Sequence, residues 1–500
     1  MSESTIPIVA RAETFSDRVA VESDGRAFSY ARLLEDSRVA AHALLDGADD
    51  LRGRRVAFLT APSYAYVTVQ WAIWRAGGVA VPLCLSHPRP ELEYVIRDSE
   101  ADLLVADQGT TDRLDAIARD NGLHLLRAED LLQGTTGPSG DLPRVDPRSP
   151  ALIIYTSGTT SRPKGAVSTH ANVSAQIESL VAAWDWSPED RILLVLPLHH
   201  VHGVINVLGC ALWSGARCEM TPGFDAAETW KRFVERPLTL FMAVPTIYAR
   251  LIRSYDESSE ARRRELRNAC GKMRLMVSGS AALPQQTLDR WRDISGQVLL
   301  ERYGMTEIGM ALSNPLEGER RPGSVGKPLP GVEVRRLDED GKPAADAEPA
   351  ELQVRGPAVF ERYWNRPRET AEAFDHGWFR TGDVAVVEDG YYRLLGRQSV
   401  DIIKTGGYKV SALEIEETLR EHPAIRECAV VGLPDEEWGE RVGAALVLEE
   451  DQALSLEDLR AWCKKRLAVY KVPSRLVTLP ELPRNALGKV TKPDLVSFFD

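Results

Sequence analysis

Short apolar runs recur along the first 280 positions of this 500-residue chain, separated by longer amphipathic stretches. RRVAFLT (54–60), VAVPL (79–83), ADLLVAD (101–107) and ALIIYT (151–156) read as buried strands, and YVTVQWAIWRAGG (66–78) as a helix stopped by glycine. The pattern returns at RILLVLP (191–197), LTLFMAVP (238–245) and LRNACGKMRLMVSG (266–279). Buried strands alternating with helices predict a mostly parallel, layered α/β sheet domain.

After about residue 320 the texture changes to short strands punctuated by Gly and Pro, as in SVGKPLPGVEVRRL, AELQVRGP and DGYYRLLGR. This predicts a mostly β part over about 320–397. Past Arg397 the chain reads as a compact α+β unit, with helices at 411–422 and 456–468 around the strands ECAVVGLP and VGAALVLE. Length alone suggests about three domains. The expected division is 1–397, a large α/β domain with its β part, and 398–500, a small α+β domain.

A net charge of -12 argues against nucleic acid or an anionic membrane surface as partner. Anionic substrates must therefore find local cationic pockets. The six cysteines are scattered with no CxxC pair, so a zinc site or disulfide framework is not expected and a reducing compartment is. The N-terminus carries acids early and no apolar run, and no stretch approaches the roughly 20 apolar residues that span a bilayer. A cytoplasmic enzyme without a membrane partner is the expectation.

The stretch Tyr155-Thr-Ser-Gly-Thr-Thr-Ser-Arg-Pro-Lys-Gly165 follows the strand ALIIYT directly. Thr156, Ser157, Thr159, Thr160 and Ser161, with Gly158, offer hydroxyl and backbone N–H donors to phosphate oxygens, and Lys164 adds a point charge. It is not a Walker A loop, because Pro163 and Gly165 stand where Gly and Ser/Thr are required.

YTSGTTSRPKG resembles the signature loop of the adenylate-forming superfamily of acyl-CoA synthetases, luciferases and peptide-synthetase adenylation domains. Four more motifs of that family follow in order: ERYGMTE (301–307), GWFRTGD (377–383), GRQSVDIIKTGGYKV (396–410) and PRNALGKVTK (483–492). The resemblance implies ATP, Mg²⁺ and coenzyme A as cofactor and co-substrates, and a C-terminal domain that rotates between two half-reactions. It implies that Thr306 donates to the α-phosphate, Glu307 holds the metal, Asp383 accepts the ribose hydroxyls and Arg397 assists. Gly279, Ser280 and Ala281 would line the adenine slot, Tyr303 would stack on the base, and Gly406 and Gly407 would let the pantetheine arm pass. The spacing of Arg397 and Gly407 departs by one position from the family's commonest pattern, so the hinge is assigned to Asp401, with Ser399 as the alternative.

A carboxylate is already a nucleophile, so its adenylation calls for charge neutralisation rather than a general base. Lys489, on a loop of flexible turn residues, is the candidate for bridging the carboxylate and the phosphate oxygens. Acetylation by a protein lysine acetyltransferase would remove its charge.

Arg302 distinguishes the chain, since many members of the family carry a small residue before this Tyr-Gly. A guanidinium beside an acyl pocket is costly to bury without a partner, and a second carboxylate on the acid would match its fork. His200 and His202 in LPLHHVHGVINVL and Ser278 in VSGSAALP are the candidates to assist. ERYGMTE, HHVHG, SVDIIKTGGYK and VPTIY together resemble the malonyl-CoA synthetase branch, which also accepts methylmalonate. A ligase for a short or medium monocarboxylic acid, with Arg302 paired internally, and an enzyme that loads a carrier protein are the alternatives.

Overall fold

The computed structural model describes residues 5–133, 140–156, 163–406, 408–484 and 489–499. Each apolar run of the first half forms a strand: Arg55–Leu59, Val79–Pro82, Leu103–Ala106, Pro150–Thr156, Arg191–Leu194, Leu240–Ala243 and Leu275–Ser278. They divide between two sheets. In the seven-stranded sheet, Arg55–Leu59 lies between Val79–Pro82 and Leu103–Ala106, all parallel. Pro150–Thr156 adds beside Val79–Pro82, and Lys164–Thr169 returns antiparallel to it. The nine-stranded sheet has a parallel centre containing Arg191–Leu194, Leu240–Ala243, Leu275–Ser278 and Leu300–Met305. It ends in the antiparallel strand Gly309–Ser313 and the edge strand Lys327–Pro328.

Helix Tyr64–Arg75 explains how two sheets share one core. Every residue in it except Ala65 is buried, and its Trp71 and Trp74 belong to an apolar cluster that includes Phe58 of one sheet and Leu193 of the other. A helix buried on every face has no solvent side and belongs between layers.

The described residues form two compact units. The first holds both sheets and runs through Thr156, from Pro163 to Glu333 and from Arg355 to Gly377. The second holds Val334–Val354 and everything from Trp378 onward. Its strands Ala350–Arg355, Trp378–Glu388 and Tyr391–Arg397 make an antiparallel sheet. A further sheet of Ile402–Thr405, Tyr408–Ser411, Ile425–Asp435, Gly439–Leu448 and Arg475–Thr478 packs with helices Ala412–Arg420 and Leu456–Lys464 around Ile403, Val410, Ile415, Leu419 and Leu459. All six cysteines are buried free thiols, and no helix among the described residues is long and apolar enough to cross a membrane.

One buried ion network lies in the first unit. Glu219, 1% exposed at its side chain, accepts from Arg191 at 2.6 Å, and Arg191 also reaches Glu22 at 2.8 Å. Arg232 contacts the other oxygen of Glu219. Removing one member of a buried network strands the others without counter-charge. Glu219→Ala is expected to lower the unfolding free energy by about 3–5 kcal/mol, read from denaturant midpoints.

Candidate active site

In open parallel sheets, ligands bind outside the carboxyl ends of the strands, where the loops diverge. The residues singled out in the sequence follow that rule. His200 and His202 lie just past Arg191–Leu194, Gly279 and Ser280 follow Leu275–Ser278, and Arg302 sits one residue past the pair Ser278↔Glu301. His202 opens a π-helical stretch, His202–Gly209, in which the Cys210 N–H donates to the Ile205 carbonyl five residues back. Such segments concentrate at functional sites. Gly203 lets this stretch lie against strand-end backbone: a Cβ there would stand 2.3 Å from the Pro197 carbonyl oxygen.

Arg302 is 3% exposed. Among the described residues it makes one hydrogen bond, a long one from Nη2 to the Ser280 hydroxyl at 3.4 Å, and its Nε is buried without a partner there. No carboxylate among the described residues pairs with it, and burial pushes the guanidinium down to about 9. Gly279 makes room for it, since a Cβ there would fall 2.5 Å from the Arg302 Cζ. The Ser278 hydroxyl and His202 Nε2 are likewise buried and have no partner among the described residues. Burial, reinforced by the charges of Arg302 and His200, holds His202 well below the ordinary imidazole range, so it is neutral at pH 7. Native proteins rarely leave buried polar groups unsatisfied, and here a guanidinium and an imidazole, joined through the Ser280 hydroxyl, each keep an unsatisfied nitrogen. The arrangement can receive a small anionic group.

This cationic group has a pH signature. The guanidinium of Arg302 is charged at pH 7, because burial draws it down only to about 9, which is still above neutrality. An anion bound there should be held at neutral pH and released as pH rises through that value. For a substrate with a carboxylate at this position, kcat/KM is expected to be level near neutrality and to fall across about 9; acetate in the same assay should show no such fall.

A second cluster joins the glycine-rich loop to Glu307. The backbone pair Thr156↔Lys164 closes the loop, and Lys164 Nζ stands 5.1 Å over the ring of Tyr363. The Tyr363 hydroxyl donates to Glu307 Oε1 at 2.8 Å, and the Phe360 N–H donates to the Glu307 carbonyl at 2.7 Å. Glu307 is therefore a buried, oriented carboxylate on the turn after strand Leu300–Met305. Thr306 beside it is half-buried. No cluster of three or more His, Cys, Asp or Glu suited to a metal occurs among the described residues. A single oriented carboxylate fits Mg²⁺, which takes one or two carboxylates and completes its shell with phosphate and water oxygens. Nothing in the sequence pointed to Tyr363, which lies 56 positions beyond Glu307.

The third cluster lies in the second unit. Asp383 and Arg397 are backbone partners on adjacent strands, and Arg397 Nε meets Asp383 Oδ1 at 3.2 Å. The Arg397 N–H donates to Asp401 Oδ2 at 2.9 Å. Lys492 Nζ donates to Asp401 Oδ1 and reaches Glu416 Oε1, each at 2.6 Å. Burial acts to lower Lys492, and the two carboxylates overcome it and raise it. Lys492 is a partner of Asp401 that the motif alone did not indicate. Lys489 is exposed, just before the bridge between Arg484 and Val490.

The remaining assignments scatter. Tyr303 is buried on strand Leu300–Met305, Ala281 is exposed, and His200 is half-buried with its ring 4.1 Å from that of His199. Gly406 has φ +55, and a Cβ there would meet the Trp438 ring at 2.9 Å. Ser157, Gly158, Thr159, Thr160 and Gly407 lie outside the described residues.

Residues 8–364 match the model of the AMP-binding enzyme family, and residues 414–489 match the AMP-binding enzyme C-terminal domain. The chain belongs to the AMP-binding enzyme family. Within it, the chain is 47% identical to the mitochondrial malonate–CoA ligase ACSF3 of Mus musculus, covering 99% of this chain and 91% of that protein. It is 40% identical to the malonate–CoA ligase of Arabidopsis thaliana, over 97% and 87%. Among solved structures, ATP-bound MatB from Rhodopseudomonas palustris superposes with a TM-score of 0.90 at 32% identity, covering 100% of both chains. The family membership bears out the resemblance on which the adenylate-forming reading stands, and with it the large α/β domain followed by a smaller C-terminal one.

Proposed function

We propose that this family member is an ATP-dependent, AMP-forming malonate–CoA ligase. Relatives named malonate–CoA ligase span nearly its whole length. The observation that carries the substrate is Arg302, a buried guanidinium with no carboxylate partner among the described residues, joined through the Ser280 hydroxyl to the buried His202. A malonate dianion supplies one carboxylate for the reaction and a second for Arg302. The guanidinium fork binds it bidentately, and Ser278 and neutral His202 donate to its remaining lone pairs.

In the first half-reaction, a malonate carboxylate oxygen bonds to the α-phosphorus of ATP as the bond to pyrophosphate breaks. Charge accumulates on the phosphoryl oxygens, and catalysis consists of positioning and neutralising it. We assign that work to Lys489, with Thr306 donating to the α-phosphate and Lys164 with the loop from Thr156 through Ser157, Gly158, Thr159 and Thr160 holding the β- and γ-phosphates. Glu307, steadied by Tyr363, would hold Mg²⁺. When bound, that ion neutralises phosphate charge as a hard Lewis acid. Asp383 receives the ribose hydroxyls with Arg397 beside it, and Gly279, Ala281 and Tyr303 serve the adenine. In the second half-reaction the CoA sulfur bonds to the acyl carbon and AMP leaves, with Gly406 and Gly407 flanking the pantetheine arm. We propose that the chain divides functionally at 397–398 and turns about Asp401 between the two reactions. An aqueous, reducing compartment such as the cytoplasm suits six free thiols.

Pyrophosphate release with ATP, Mg²⁺ and CoA over malonate, methylmalonate, succinate, acetate, butyrate and octanoate tests this reading. Preference for malonate or methylmalonate is expected, the two separated only modestly because one methyl group is worth about 1–3 kcal/mol in a pocket. Preference for butyrate or octanoate would return Arg302 to a structural role.

A further inference from the structure

Ser280 does not behave as a residue that merely borders a nucleotide. Its backbone has φ +69, a left-handed conformation that glycine enters freely and serine does not. A site wanting only close backbone approach would be better served by glycine, so the hydroxyl is the reason to look for a task. That hydroxyl accepts from Arg302 Nη2 at 3.4 Å and lies 3.2 Å from His202 Nδ1.

The protons can be followed through these contacts. His202 is neutral, so one ring nitrogen carries hydrogen and the other accepts. Guanidinium only donates, so the Ser280 oxygen is an acceptor toward Arg302. Among the described residues its own proton then has one acceptor within reach, His202 Nδ1. With Nδ1 accepting, the hydrogen of the imidazole sits on Nε2, the buried atom that has no partner. The second ring nitrogen's hydrogen bond sets which tautomer a histidine adopts. Arg302 Nε and Nε2–H of His202 thus form a pair of buried donors held through one oxygen.

We infer that Ser280 is a positioning residue for acid recognition: its hydroxyl locks His202 as the Nε2–H tautomer and tethers Arg302, so that both present donors to the second carboxylate. This deepens the malonate reading and rests on it for the identity of the anion. The tautomer itself does not depend on which acid is used.

Ser280→Gly is the informative variant, because it relaxes the backbone while removing the hydroxyl. The expected result is a melting temperature equal to or above that of the parent and a KM for malonate raised about 10- to 100-fold, the scale of losing an oriented polar contact. The KM for ATP should stay unchanged. In the ¹⁵N-histidine spectrum of the ligand-free enzyme, His202 should show protonated Nε2 and unprotonated Nδ1, and Ser280→Gly should mix the two tautomers. His202→Gln identifies the signals. A raised KM for ATP with an unchanged KM for malonate would overturn the inference in favour of adenine lining. An Nδ1–H tautomer in the parent enzyme would overturn it whatever the acid. A parent enzyme that shows the Nε2–H tautomer but ignores malonate would instead sink the substrate reading.

Discussion

Replacing Arg302 by methionine is expected to lower kcat/KM for malonate by about 10³- to 10⁴-fold, the range by which a site built for a polar group rejects partners that cannot use it. The KM for ATP should hardly move. The same substitution is expected to raise stability. A buried charge without a counter-ion costs the folded state, and apolar replacements of buried ionic groups can be stabilising by about 1–4 kcal/mol. Arg302 is held at about 9 by burial alone, so the ligand-free enzyme carries that cost until a dianion arrives. Malonate should therefore raise the melting temperature of the parent and not of Arg302→Met. A structural salt bridge predicts the opposite on both counts, with a less stable variant and unchanged substrate choice. Gly279→Ala supplies a second route to the same defect, since its Cβ would displace the guanidinium; malonate turnover should fall.

The second large effect belongs to Lys489. Lys489→Ala is expected to slow formation of malonyl-AMP by about 10²- to 10³-fold, the typical loss for one electrostatic contact to developing charge. Transfer from preformed malonyl-AMP to CoA should be spared, because that step builds no new charge on the α-phosphorus. Rapid-quench measurement of each half-reaction separates the two, and equal losses would remove Lys489 from its assigned role. Three residues beyond it, Lys492 is anchored between Asp401 and Glu416. The segment bearing Lys489 is thus tied to the proposed hinge residue through one buried ammonium. Acetylation of Lys489 should act as the alanine does, by removing its charge.

How much of this could be read in advance depended on whether the signal was local. The buried strands were legible because a strand covered on both faces must be apolar at every position, as in Val79–Pro82 and Leu275–Ser278. Arg302 was legible because a charge amid such strands contradicts its surroundings. Tyr363, by contrast, reaches Glu307 from a strand 56 positions away, and nothing in ERYWN announces a hydrogen bond. Ser280 was expected beside the adenine because its motif is read as backbone; the left-handed φ that turns its hydroxyl toward His202 and Arg302 is a property of three dimensions. The π-helical stretch at His202–Gly209 was also hidden, since one extra residue per turn leaves an apolar sequence apolar.

The central claim is that the buried guanidinium selects an acid for its second charge, and malonate against its monomethyl ester tests it most directly. The ester keeps the reacting carboxylate and replaces the second charge by a neutral group one methyl larger. With the parent enzyme, malonate is expected to be favoured in kcat/KM by about 10³-fold or more, and the preference should vanish in Arg302→Met. Comparable kcat/KM values for the two acids in the parent enzyme would contradict the account.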